Sequence, residues 1–294
     1  MSKQFKDLTI KDAFMFAAVM SDPEQCRRLL QLILNMDILE VQVIAEKTMA
    51  YHPEYHGIRL DVLAKEQGTK RRFNIEMQVK SQKDLPRRSR YYHSQLDMDA
   101  LVSGKRYREL PDTYVIFICD FALSSKPLYK YTYTSVCREN NSVLDEGRTT
   151  IFLSTRGEND KDVSKELVSF LNYVKGPEGL SEADWEDPYV ASLEAKIRSI
   201  KHNREMEARY MMLEEMLKDE REAGRQEGEK TGRIEGEKAG RIAGEKAGSQ
   251  KAREQLNILA RKLSQQGRLE DVIRATEDEA YFKELCREFG LEDK

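Results

Sequence analysis

No apolar run in the 294-residue chain approaches the ~18 residues that would read as a membrane span, and the first residues carry no secretory leader pattern. The expectation is a soluble, cytoplasmic protein. The four cysteines, Cys26, Cys119, Cys137 and Cys286, are far apart and form no C-x-x-C pair, which argues against a zinc site and against a disulfide framework. Charge of one sign is also missing: the net charge is −3, so any contact with nucleic acid has to come from local patches. What is abundant is charge itself, 34% of the residues against 39% hydrophobic, a balance that points to long exposed helices. The length suits one ordinary domain with appendages.

The most informative stretch runs from Gly57 to Lys80 and predicts a β-hairpin. Phe73, Ile75, Met77 and Val79 alternate with Asn74, Glu76, Gln78 and Lys80, the period-two pattern of a strand with one apolar and one polar face. In the first arm Leu60, Val62 and Ala64 form the apolar set, and Asp61 stands out among them. A turn at Gly68 sets the register. With Gly68 and Thr69 as the loop, Asp61 directly faces Glu76; with Gln67 and Gly68, the acids are diagonal neighbours on one face. A three-residue loop would separate them onto opposite faces. Two opposed carboxylates repel unless one stays protonated or a cation lies between them. Magnesium suits such a pair, since it takes one or two carboxylates and completes its sphere with water and phosphate. The plainer alternative makes both acids ordinary solvent-facing strand residues.

An acid on one strand, a glycine turn and an acid-x-polar triplet in the next strand resemble the PD-(D/E)XK nucleases. More narrowly, IRLDVLAK and NIEMQVK, followed by RYYHSQLDMDALVSGKRYRELPDTYVIFICDF, look like the Rpn family of recombination-promoting nucleases, also described as PD-(D/E)XK family transposases. The resemblance spans roughly the first 175 residues. It implies an α/β fold with a restriction-endonuclease-like core, a mixed central sheet flanked by helices, and a bacterial DNA endonuclease dependent on Mg2+ or Mn2+, with a role in recombination or transposition. Asp61 and Glu76 are then the metal ligands. Gln78 stands where the general motif has lysine, as in other Rpn-like sequences, and its amide would orient a water molecule. Lys80 shares that face but lies ~13 Å along the strand, too far to replace it. Asp12 falls where Rpn-like proteins carry an acid in a D-x-x-F-type motif, and is either a third metal ligand or a helix-start acid favoured by the helix dipole.

The rest of the chain fits this core. Two helices are expected within residues 8–35, broken at Ser21-Asp22-Pro23, with Leu29, Leu30, Ile33 and Leu34 as the buried stripe of the second. Val41–Lys47 reads as a short strand. His52 and His56 straddle Pro53, which rules out the helix that would align them on a metal, and they read as solvated loop residues. A helix from about Leu85 carries Arg87, Arg88 and Arg90 in its first turn, where the dipole disfavours cations and a phosphate partner would compensate. With Lys70, Arg71 and Arg72 they form a dense basic cluster, and Tyr91, Tyr92 and Gln95 follow. Aromatics beside arginines suit contact with unpaired bases; packing of the tyrosines on the sheet is the alternative. Thr113–Phe121 reads as a buried central strand, Leu128–Cys137 and Thr149–Ser154 as further strands, and Asp162–Val174 as a covering helix. These assignments give a nuclease domain over residues 1–180.

Residues 189–250 read as a long charged helix, with Ile197, Ile200, Met206, Tyr210, Leu213 and Leu217 at three- and four-residue steps. It runs into a repeat with glycine at 224, 228, 232, 236, 240, 244 and 248. Glycine costs ~1 kcal/mol against alanine inside a helix. Either the stripe lets two backbones approach, making a homodimer, or the segment is a repeat-expanded linker. Residues 251–294 read as a small helical unit with a turn at Gly267; its spacing resembles a helix-turn-helix, but Glu270, Asp271, Glu277, Asp278 and Glu279 favour contact with protein over DNA. The leading functional expectation is a metal-dependent DNA endonuclease. The runner-up is a catalytically weak nuclease fold acting as a DNA-binding or toxin-like regulatory protein. Phosphate contacts do not tell the sugars apart, so RNA stays open as a substrate.

Overall fold

A computed structural model describes residues 3–49, 58–176 and 185–291; His52, His56 and most of the acidic turn around residue 180 lie outside the described residues. The chain divides into two compact units, Met1–Glu214 and Glu215–Lys294.

The first unit is built on a mixed six-stranded sheet, β1 (Val41–Met49), β2 (Ile58–Glu66), β3 (Arg72–Gln78), β4 (Thr113–Cys119), β5 (Lys130–Tyr133) and β6 (Arg148–Ser154), in the order β1-β2-β3-β4-β6-β5. β3, β4 and β6 run parallel at its centre, and the antiparallel β1–β2 and β5 complete the two sides. This is the mixed α/β core that the resemblance implies. The helical break at Ser21-Asp22-Pro23 is present: α1 (Ala13–Met20) gives way to α2 (Pro23–Leu34), whose start is capped by the Asp22 carboxylate accepting from the amides of Glu24 and Gln25 at 3.0 and 3.4 Å.

Helices cover both faces, as the apolar residues on both sides of β4 and β6 require. On one side α1, α2, α4 (Lys165–Lys175) and α5 (Pro188–Lys201) pack on Val62, Ile75, Met77, Ile116 and Ile151. On the other, α3 (Leu85–Ala100) lays Leu85, Tyr92 and Leu96 over Leu63, Val115, Phe117 and Phe152. The second cover changes one expectation. The polar face of β3 is not solvated: Asn74 and Glu76 are 0% exposed and Gln78 9%, all beneath α3. Period-two alternation distinguishes two faces, but it does not say whether the polar one meets water or another layer.

Other boundaries shift for local reasons. The strand expected over Leu128–Cys137 is confined to Lys130–Tyr133, with a single bridge, Val136 to Val143, beyond it. The expected Asp162 start of α4 moves to Lys165, where the Ser164 hydroxyl caps the amide of Leu167 at 3.2 Å. Tyr189, Val190, Leu193, Ile197 and Ile200, read from sequence as part of the charged helical region, are buried in the core of the first unit.

α6 (Arg204–Gln265) carries the glycine repeat as continuous helix, and an added Cβ at any of its seven glycines would meet nothing within 4 Å. Arg225 with Glu229, Arg233 with Glu237, and Arg241 with Glu245 stand four residues apart along it. In the second unit Leu259 and Leu263 of α6 pack with Ala275 of α7 (Leu269–Glu277) and Leu285 and Cys286 of α8 (Glu279–Glu288), after a turn at Gly267 (φ 75°). Among the described residues no helix is long and apolar enough to cross a membrane.

Two predictions follow from buried and exposed extremes of this fold. His93 of α3 is buried between the hydroxyls of Thr113 and Thr150, at 2.8 and 3.0 Å, and burial pushes its imidazole down to about 3, with Arg148 adding to the effect. The unfolded chain therefore binds a proton that the folded one refuses. Stability is complete above the ordinary histidine pKa of ~6.5 and falls as pH drops toward the folded value, with a slope of about 1.4 kcal/mol per pH unit. Urea unfolding across pH 3–7 should show this slope reduced in His93→Gln; equal slopes would contradict it. At the other extreme, Gly232→Ala, Gly236→Ala and Gly240→Ala together should raise the helical signal and its melting temperature, by about 1 kcal/mol per site. A loss of helix by circular dichroism would show that the stripe needs its glycines.

Candidate active site

The candidate site forms where β2 and β3 part. Their ladder pairs Lys65 with Arg72, Ala64 with Phe73, Leu63 with Asn74 and Val62 with Ile75. One step further the same register sets Asp61 opposite Glu76, as expected for the loop of Gly68 and Thr69. The turn itself is wider: the Glu66 amide donates to the Arg71 carbonyl at 2.9 Å, closing a loop of Gln67, Gly68, Thr69 and Lys70, with Gly68 (φ 86°) and Lys70 (φ 62°) left-handed. A loop longer by one residue on each side keeps the same register.

At Asp61 and Glu76 the side chains take over from the ladder. The Asp61 amide donates to Oε1 of Glu76 at 3.2 Å, and the Met77 amide donates to Oδ2 of Asp61 at 3.0 Å. Oε2 of Glu76 accepts from Nη2 of Arg88 at 2.9 Å. Burial, then the charge of Asp61, push the Glu76 carboxyl up to about 8 against the opposing pull of Arg88. Asp61 is raised as well, mainly by burial, with the Met77 amide opposing and the charge of Glu46 adding to the rise. Two such acids do not both ionise readily without a cation beside them.

Arg88 reaches this pair from the first turn of α3. Its Nη1 lies 3.4 Å from Oε1 of Gln78 and its Nε donates to the Tyr92 hydroxyl at 2.5 Å. The guanidinium also lies over the rings of Tyr92 and Phe117, 5.1 and 5.8 Å from their centres. Asp61, Glu76, Gln78, Arg88 and Tyr92 are thus brought together. Arg87 and Arg90 are exposed on α3 with no carboxylate within 4.0 Å among the described residues, whereas Tyr92 and Gln95 are buried and Tyr91 half-buried.

Three expected contributors lie elsewhere. Asp12 is bound by Lys3 Nζ at 2.7 Å and by the Thr9 amide at 2.7 Å, and among the described residues no group of three or more His, Cys, Asp or Glu is placed to hold a metal. Arg72 pairs with Asp99 at 2.7 Å, which Lys47 also meets at 2.8 Å. Arg71 pairs with the fully buried Glu66 carboxylate at 2.5 Å. Arg71 and Arg72 at the tip of the hairpin are therefore occupied internally, while Lys70 beside them is exposed. Glu46 was not singled out from the sequence: it has φ 53° at the step of β1 facing Asp61, where the β1–β2 register skips, and it pairs with Arg59.

The hydrogen bonds at the pair bear on its stability. Relief of repulsion alone would make loss of either acid neutral or stabilising. Each carboxylate, however, satisfies a backbone amide, and an orphaned buried donor costs about 1–3 kcal/mol. Asp61→Ala should therefore be less stable than wild type by about that amount, and Asp61→Asn, which keeps an acceptor for Met77, should lose less. Urea midpoints decide it; an alanine variant as stable as wild type would show that the Met77 contact contributes nothing.

The donor set fits a hard divalent cation. Asp61 and Glu76 present oxygen ligands, their mutual repulsion calls for a positive charge, and in the structure Arg88 supplies it. Comparison with known proteins supports the same core: residues 14–227 match the PD-(D/E)XK nuclease family transposases. No curated protein and no solved structure gives a match. With the match covering most of the chain and the mixed sheet carrying it, the chain belongs to the PD-(D/E)XK nuclease family transposases.

Proposed function

We propose that the chain is an endonuclease that hydrolyses phosphodiester bonds of DNA at the Asp61–Glu76 pair. The observation that carries this reading is a wholly buried glutamate, pushed up to about 8, set in register against an aspartate on the neighbouring strand. Asp61 and Glu76 would hold Mg2+ or Mn2+, which when bound lowers the pKa of its water and offsets charge on the scissile phosphate. Gln78 shares the buried face with Glu76, and its amide is suited to orienting water. Arg88, bonded to Glu76 at 2.9 Å, offsets the charge of the pair and is a cation placed to meet a phosphate oxygen there. Arg87 and Arg90, exposed on the same helix, would meet the flanking backbone.

The alternative is a nuclease fold that binds DNA without cutting it. It draws on the same Arg88, whose pairing with Glu76 also describes a site closed to metal. Either reading accommodates a homodimer through the C-terminal helical region, with two sites serving the two strands.

A plasmid-nicking assay with magnesium separates them. Wild type should nick, Asp61→Ala and Glu76→Gln should lose about 10²-fold or more, and Asp12→Asn, whose carboxylate is taken by Lys3 and Thr9, should retain activity. Undiminished nicking by Asp61→Ala would remove the mechanism, and DNA retention without cutting in any divalent metal would favour the alternative. Mass in solution with and without residues 224–250 tests the dimer: a drop to the monomer on deletion is expected.

A further inference from the structure

On the side of the sheet away from α3, a cavity of about 690 Å³ opens between the segment before α1, the end of α4 and the face of α5. Its volume lies within the ~300–1,000 Å³ of small-molecule sites. Among the described residues its lining is strongly uneven in charge: five cations, Lys3, Lys11, Arg156, Lys175 and Lys201, against the single carboxylate of Glu194. Neighbouring acids answer only some of these. Asp12 takes Lys3 at 2.7 Å, while Asp120 serves both Lys11 at 2.9 Å and Arg156 at 3.3 Å. Lys175 and Lys201, both half-buried, have no carboxylate within 4.0 Å among the described residues. A partly buried ammonium group is costly unless an anion faces it, and an anionic ligand in the cavity would meet that need for Lys175 and Lys201.

The remaining wall is aromatic and apolar. Tyr173 and Trp185 meet edge to face with ring centres 6.2 Å apart, and Trp185 keeps 47% of its surface exposed. The Tyr173 hydroxyl donates to Oε1 of Glu194 at 2.8 Å, which holds the ring in place and leaves that carboxylate at the rim as an acceptor for a polar edge. Leu8, Ile10 and Val174 supply the floor.

We infer that this cavity binds a nucleoside phosphate: the base against Tyr173 and Trp185, the phosphates toward Lys11, Lys175 and Lys201. A simple anion would use the cations and leave the aromatic wall bare. An uncharged aromatic would leave the lysines unanswered. The site uses no residue of the Asp61–Glu76 pair and stands whether or not that pair is catalytic.

Trp185 is the sole tryptophan of the chain, so its fluorescence reports directly on the cavity. In EDTA, ATP and AMP should quench it saturably, with matching heats by calorimetry. Adenosine and tripolyphosphate should each bind at least ~10-fold more weakly than ATP, since each makes half of the contacts. Lys175→Ala with Lys201→Ala should weaken ATP at least ~10-fold, with folding checked by circular dichroism; if the double variant does not fold, Lys175→Gln and Lys201→Gln singly should each weaken it. Glu76→Gln should bind ATP as wild type does. No saturable response to either nucleotide would overturn the inference, as would tripolyphosphate binding as tightly as ATP, loss of binding in Glu76→Gln, or binding of a short 5′-phosphorylated oligonucleotide in place of free nucleotides.

Discussion

The constraint on which the first unit turns is that Glu76 carries an ionisable group into a place with no water. Its carboxyl is 0% exposed, covered by α3, and faced by a second acid. Transfer of a carboxylate out of water is tolerated only with compensating donors and charge. The fold supplies three: the Asp61 amide, the Arg88 guanidinium and a proton affinity raised to about 8. Much of the surrounding architecture serves this arrangement. β4 and β6 pack stacked aromatic rings, Phe117 on Phe152, beneath the helix that delivers Arg88, and Tyr92 fixes that arginine from one turn along.

Much of this was legible in the sequence. The alternation of β3, the apolar run of β4, the proline start of α2 and the glycine at the hairpin turn are local signals, and each corresponds to its element in the structure. The opposition of Asp61 and Glu76 could be read because a hairpin's register depends on its turn, although the turn proved wider than two residues. Three-dimensional pairing was harder to see. Nothing local to Arg88 says that it turns inward while Arg87 and Arg90 turn outward; a signal does exist, since Leu85, Tyr92 and Leu96 mark the buried stripe of α3 and Arg88 lies beside it, four residues before Tyr92. The pairing of Arg72 with Asp99 joins residues 27 apart and that of Asp12 with Lys3 residues nine apart, and charge counting along a sequence does not find such partners.

The second unit is governed by a different balance. Leu259, Leu263, Leu285 and Cys286 give it a small core of its own, and Arg268 ties Asp271 to Glu288 at 2.5 and 2.7 Å. The glycine-bearing part of α6 has no such support: its residues are exposed, and spaced ion pairs at the surface add little each. Helix there follows from continuity with better-packed turns at either end more than from its own composition.

Because the Asp61 carboxylate accepts the amide of Met77 and the Glu76 carboxylate accepts that of Asp61, both acids are also parts of the sheet's internal bonding. Selection for folding alone would hold acceptors at these two positions whether or not they serve in cleavage. A descendant that kept the aspartate and glutamate would therefore look competent by motif while being inert, and the more telling sign of a working nuclease would be retention of the acids together with freedom of the guanidinium to leave them.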